Sequence, residues 1–169
     1  KYADEWMAIH QGQDGAFWMA VNHVILTEAH HQKQVPYFLD YTKKYTDSPF
    51  LVELTPIEGG FRPGQLLRAG EIEKYKGEEH GEWKFLMWDE DSDAPKMPKG
   101  SMGHRWGSKE GQWNLLLEDG VDGSRIAPAL TFLGSDDTSV QFDDFAADKT
   151  CFRGVPTKKI KKTDGSEVL

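Results

Sequence analysis

One cysteine, Cys151, is all this chain has for thiol chemistry. It excludes an internal disulfide, a CxxC zinc site and an iron–sulfur cluster ligated by this chain's cysteines. A lone thiol suits a reducing compartment. Basic charge is also scarce: the formal net charge is −8. The single basic run is Lys158-Lys159-Ile160-Lys161-Lys162, which alternates about Ile160 and predicts a solvated strand edge. It is too short to track a phosphate backbone, so no nucleic-acid partner is expected. Apolar runs of about 18 residues and a signal-peptide pattern are missing, so direct membrane insertion is not expected either. There is no internal repeat and no low-complexity tract.

Apolar material is nonetheless ample. Hydrophobic residues make up 38% of the 169 positions, with six Trp and nine Phe, enough for a real core and against disorder. The most apolar stretch is Gly12–His31, in which Asn22 and His23 are the only polar residues between Ala16 and Leu26. It predicts a helix starting near Asp14, where an acid can cap the free amides, and ending near His30-His31, whose imidazoles can meet the last carbonyls. A helix apolar on nearly every side is expected to be buried.

Punctuation divides the rest. Residues 1–11, with Trp6, Met7 and Ile9, predict an extended segment ending in a glycine loop. Pro36 suits the first turn of a second helix over Pro36–Tyr45, with Tyr37, Phe38, Tyr41 and Tyr45 at helical spacing. Phe50–Leu54 predicts a short buried strand. After Pro56, glycines and prolines separate short pieces: a helical turn within Gln65–Lys76, and strands over Trp83–Trp88, Trp113–Leu117 and Ala129–Leu133. Lys158–Lys162 and Ser166–Leu169 predict two strands joined by a turn at Asp164-Gly165. The expected fold class is α+β (mixed α/β), with residues 1–55 helix-rich and residues 56–169 antiparallel and β-rich. Both ends look cut, at Lys1 and at Leu169, so an incomplete domain excised from a longer chain is expected. Apolar faces left uncovered by such a cut would let the isolated piece form an artificial dimer.

Few constellations carry chemistry. Asp89-Glu90-Asp91-Ser92-Asp93 opens like a calcium loop, but Ala94 stands where the sharp-turn glycine belongs and Gly100 where the bidentate Glu belongs. Pro95 and Pro98 forbid the exiting helix, so a solvated turn is expected. His30 and His31 are adjacent and point to different sides of a helix. His23 suits a hydrogen-bonded core position, and His80 and His104 are isolated, so no metal site and no metalloprotease pattern is predicted. No Gly-x-Ser-x-Gly elbow or Cys–His arrangement supports hydrolysis, and no catalytic residue is assigned. What remains is Gly12-Gln13-Asp14-Gly15. Glycine lets a backbone approach a ligand closely, helix amides stand behind it, and Asp14 could accept two N–H donors from the edge of a guanine. The same four residues also suit a plain Asp cap.

Taken together, Trp6–Ala16, Asn22–Leu26, Tyr37–Tyr41, Tyr45–Pro49, Gly64–Ala69, Glu82–Lys84, Gly100–Gly107, Trp113–Leu115, Val155–Lys158 and Asp164–Ser166 closely resemble the catalytic α subunit of membrane-bound respiratory nitrate reductase. The resemblance runs in order through essentially the whole chain. It implies an internal section of a far longer subunit, lying after the molybdenum-ligand region. It further implies a bis(molybdopterin guanine dinucleotide) molybdenum centre and a 4Fe-4S cluster in the full subunit, and reduction of nitrate to nitrite with electrons from quinol. The implied partners are an iron–sulfur β subunit and a membrane-anchoring cytochrome b γ subunit, which would hold the enzyme at the cytoplasmic face of the cell membrane. In the wider molybdopterin oxidoreductase family a Gly-Thr-Asp motif before a helix helps hold a guanosine end of the cofactor. Gly12 and Asp14 match it, Gln13 replaces the threonine, and Gly15 follows. No position matches the molybdenum-ligating Asp or the His and Cys cluster ligands, so no cofactor is expected to bind tightly to this section alone. The alternatives are the same fold in a related molybdenum enzyme acting on chlorate, selenate or nitrite, and a free-standing non-catalytic binding domain.

Overall fold

The computed structural model describes residues 4–100, 115–130, 139–141 and 151–169. The chain divides into two compact units, Lys1–Leu39 and Asp40–Leu169. Its described residues combine two α-helices with small antiparallel sheets, a mixed α+β composition. The strands expected at Trp113–Leu117 and Ala129–Leu133 fall partly outside the described residues, as do His104 and the matching stretch Gly100–Gly107 beyond Gly100.

In the first unit, helix α1 (Asp14–Val24) runs without a break into a π-helical stretch, Ile25–Gln32. The helix therefore continues to Gln32, past the expected end at His30-His31. The wider winding is closed by an N–H of Lys33 that donates to the Glu28 carbonyl, five residues back, at 3.1 Å. His30 is buried, its ring centre 5.8 Å from that of Phe38, so it serves packing as well as the helix end.

The expectation of a buried α1 is overturned. None of its residues is buried, and Trp18 and Met19 keep 61% and 72% of their surface. The physical reason is size: a unit of 39 residues has too little material to enclose a helix that is apolar all round. Pro36 opens helix α2 (Pro36–Tyr45) as expected. Its tyrosines face outward, however: Tyr37, Tyr41 and Tyr45 are exposed, while the small Thr42 is the buried residue. An Asp40–Lys44 pair one turn apart, at 2.7 Å, supports the helix.

The second unit is built on hairpins. Strands β1 (Val52–Ile57) and β2 (Gly60–Leu66) pair from Val52–Leu66 to Ile57–Gly60, with an irregularity between Val52 and Leu54. β2 continues to β8 (Cys151–Arg153) and β8 to β7 (Ser139–Gln141), giving an antiparallel sheet ordered β1-β2-β8-β7. β3 (Met87–Asp89) pairs with β4 (Ala94–Lys96), and β5 (Pro98–Lys99) with β6 (Leu116–Asp119). β9 (Ile160–Lys161) and β10 (Glu167–Val168) form the hairpin expected near the end of the sequence. Its turn contains Gly165 at φ +85°, a left-handed conformation that glycine adopts without steric cost.

Two expectations shift in this unit. The strand expected at Phe50–Leu54 starts only at Val52, while Phe50 bridges to Met87 and Leu51 donates to Leu86. The helical turn within Gln65–Lys76 becomes the end of β2 and two single 3-10 turns, Ala69–Glu71 and Glu73–Tyr75.

The core lies where these segments run side by side. One cluster joins Leu67, Ala69, Ile72, Tyr75, Leu86 and Met97. A second joins Phe50, Met87, Leu115 and Ile126. A groove of about 130 Å³ opens next to them, walled by Leu51, Leu54, Leu67, Trp88, Ile160, Val168 and the segment at Pro156–Lys158.

Candidate functional site

Gly12-Gln13-Asp14-Gly15 forms the turn that enters α1. Gly12 stands at φ +81°, and the N–H of Gln13 donates to the His10 carbonyl at 3.1 Å, closing the turn. The carbonyl of Gln13 then accepts the N–H of Phe17 at 3.1 Å. Gln13, not Asp14, is therefore the capping position, and no side chain bonds to the helix amides there. This corrects the expected cap: Asp14 is already the first helical residue, and its carboxylate is exposed. The amides of the first turn lack intrahelical partners, as at any helix start. A side-chain carbon placed on Gly12 or Gly15 would meet nothing within 4 Å. All four predicted residues are thus brought together on one exposed turn that, among the described residues, presents unpartnered N–H groups, an unpartnered carboxylate and open space.

The second unit holds its charges very differently. Asp89 and Asp119 are completely buried, although the sequence places both at turns. Asp89 accepts from Lys96 Nζ at 2.8 Å, from Ser92 Oγ at 2.6 Å and from the Ala127 N–H at 2.7 Å. Burial opposes its ionisation, but these donors outweigh it and hold the carboxyl well below the usual carboxylate range. The solvated turn expected over Asp89–Asp93 is corrected at its first residue, which is a core anion tied to Lys96.

Asp119 is bound as densely. It accepts from the Tyr75 hydroxyl, from Lys74 Nζ at 3.0 Å and from the Val121 N–H at 2.9 Å. Burial again opposes ionisation, and the Tyr75 hydroxyl, the Val121 amide and Lys74 together lower the carboxyl below its ordinary value. Burial and the Asp119 charge both push the Tyr75 hydroxyl above its own. Lys74 also reaches Asp122 at 2.8 Å, and it is held above the ordinary lysine value by its two aspartates in spite of desolvation.

Lys162 supplies a further correction. It was expected on a solvated strand edge, but only 15% of its side chain is exposed, and it bonds Glu53 at 2.6 Å and Glu71 at 2.8 Å. These anchors were missed because spacing shows that Asp89 and Asp119 lie at turns without showing which way they point. The signal that could have found them is local: Asp89 has Ser92 three residues on, and Asp119 precedes Gly120 and Asp122, both patterns in which the acid folds back on its own turn.

None of these clusters makes a metal centre. Among the described residues, no group of three or more His, Cys, Asp or Glu stands ready to hold an ion. No helix among them is long and apolar enough to cross a membrane.

No family model matches the chain. Individual relatives do. The nitrate reductase alpha chain of Bacillus subtilis is 39% identical over 164 residues, covering 95% of this chain and 13% of the relative. The respiratory nitrate reductase 1 alpha chain of Escherichia coli is 36% identical over 183 aligned positions, covering 100% of this chain and 14% of the relative. The nitrate reductase alpha subunit of Mycobacterium tuberculosis is 37% identical over 174 positions and 96% of this chain. The chain spans 13–14% of the length of the curated relatives it matches. Identity at this level, sustained in order across nearly every position, makes the chain a homologue of one section of those subunits. Over the section it spans, the chain is homologous to nitrate reductase alpha chains.

Proposed function

We propose that this chain is the section of a respiratory nitrate reductase α subunit that supports the guanosine end of a molybdopterin guanine dinucleotide. The observation that carries the reading is the turn at Gly12–Gly15, where an exposed Asp14 carboxylate stands beside uncapped helix amides and unfilled space. These groups fit a guanosine chemically. The carboxylate can accept the paired N–H donors of a guanine edge, and the first-turn amides favour anionic groups. Gly12 and Gly15 let the backbone come close to a ligand. Gln13 offers an amide where a threonine hydroxyl stands in the wider family. The molybdenum of such a cofactor, when bound, supplies the two-electron chemistry that takes nitrate to nitrite. The part of this chain is to bind and orient the nucleotide end.

In the complete enzyme, an iron–sulfur β subunit and a cytochrome b γ subunit would deliver electrons from quinol, with a 4Fe-4S cluster in the α subunit, and would hold the complex at the cytoplasmic face of the cell membrane. The domain reading that goes with this function assigns residues 1–55 to the cofactor-binding domain and residues 56–169 to the β-rich region beside it.

The test is Asp14→Ala in the full-length subunit. A bidentate contact to a base edge is worth about 1–3 kcal/mol, so cofactor occupancy, read as guanine nucleotide released on acid hydrolysis, should fall roughly 5- to 150-fold under limiting cofactor. Soluble expression should be unchanged, because Asp14 is exposed and bonds to nothing among the described residues. Full nucleotide content in that variant would remove the assignment. A second expectation concerns the 169-residue chain alone, which offers no match to the molybdenum or cluster ligands. It should reduce no nitrate with a reduced viologen, even with cofactor supplied, and measurable turnover would show that the catalytic residues lie here after all.

A further inference from the structure

Between β8 and β9 the chain passes the apolar groove in a conformation that is neither helix nor strand, over residues 154–159. Both ends of this segment are fastened. Cys151–Arg153 is a strand of the four-stranded sheet, and beyond Ile160 the Lys162 side chain is clamped between Glu53 and Glu71. The middle is fastened differently. Among the described residues, the backbone groups of 155–159 make no hydrogen bond. The tie there is Lys158, whose ammonium bonds Asp93 at 2.7 Å and lies 5.1 Å from the centre of the Trp88 ring. Trp88 in turn donates from Nε1 to the same Asp93 oxygen at 3.3 Å. Pro156, Lys158 and Trp88 are all part of the groove wall, together with Leu54 and Val168.

We propose that residues 154–159 form a strap that opens and closes the apolar groove, with the Lys158–Asp93 pair on the face of Trp88 as its latch. The chemistry of the latch sets its behaviour. Half of the Lys158 side chain and 71% of the Asp93 side chain are exposed, so salt screens the pair. The Lys96–Asp89 pair, buried on the same hairpin, is shielded from salt. Raising ionic strength therefore releases the strap while the body of the unit stays folded.

Trypsin reads the strap directly, because Lys159 lies within it, while Arg68, which precedes Ala69 and bridges to Phe85, reports on the folded body. Cleavage at both sites is followed by mass spectrometry on the 169-residue chain, in low salt and in about 0.5 M NaCl, where the Debye length is shorter than at physiological salt. For the unaltered chain, cleavage after Lys159 relative to Arg68 should rise roughly two- to fivefold with salt, as expected for loss of an exposed pair. Asp93→Asn should show that faster cleavage already in low salt and lose the salt response, and Lys158→Gln should do the same from the other side of the latch. Equal relative rates in the variants and the unaltered chain would overturn the proposal. So would a parallel rise at Arg68, which reports general loosening instead of strap opening.

Discussion

Asp89→Ala should lower the unfolding free energy by about 3–5 kcal/mol, the usual cost of removing one partner from a buried ion pair. The substitution leaves Lys96, with 11% of its side chain exposed, facing an empty place in the core. It also strips acceptors from Ser92 and from the Ala127 N–H. Asp93→Ala on the same hairpin provides the scale, since its side chain is 71% exposed and its loss should cost no more than about 1 kcal/mol. Urea denaturation separates the two cases. The pair Asp89→Ala with Lys96→Met should recover much of the loss, because an apolar replacement removes the stranded charge. Equal stabilities for the Asp89 and Asp93 variants would show that the buried pair does not anchor the hairpin.

Acid should unfold this chain through Asp89 and Asp119, and alkali through Lys74 and Tyr75. Both aspartates are held below their ordinary values in the folded state. Below about pH 4 the unfolded chain therefore binds more protons than the folded one. The stability they contribute is complete above that pH and is lost as pH falls through their depressed folded values. Lys74 and Tyr75 are both raised, so their contribution is complete below about pH 10 and is lost as pH rises towards the folded values. The expected profile is a plateau from about pH 5 to 9.5 with a fall on each side. Asp119→Asn should lower the plateau by roughly 2–3 kcal/mol, in line with the worth of a charge-assisted bond in the interior, and should make the acid limb shallower. It should also bring the phenolate absorbance of Tyr75 in at lower pH, since the anion that opposes its ionisation is gone. A profile unchanged by Asp119→Asn would show that the network does not carry this linkage.

Much of the fold was legible because it depends on neighbours in sequence. Pro36 starts α2 where a first-turn proline is expected, and Asp164-Gly165 turns the β9–β10 hairpin. The turn entering α1 was legible too, since glycine at a positive φ leaves a local signature at Gly12. Asp14 shows the limit of such reading. A cap and a first helical residue are one position apart, and the backbone angles of Gln13 decide between them. The strand at Trp83–Trp88 was only partly legible. Phe85 bridges to Arg68 and the ladder proper begins at Met87, because partners remote in sequence decide where pairing starts.

The homology to nitrate reductase alpha chains, the helix and turn punctuation and the four-residue turn at Gly12–Gly15 follow from the order of the residues alone. Each rests on identity or on interactions a few residues apart. Only the tertiary structure decided that Asp89, Asp119 and Lys162 are interior ions, that α1 keeps Trp18 and Met19 exposed, and that Lys158 crosses to Asp93. The physical reason is common to all of them. Whether a charge or an apolar ring is buried depends on what the rest of the chain brings against it, and much of that is remote in sequence: even Asp89, which pairs with nearby Lys96, also accepts from the Ala127 N–H across 38 positions. Asp119 meets Tyr75 across 44 positions and Lys162 meets Glu53 across 109, separations at which a local pattern carries no information about contact.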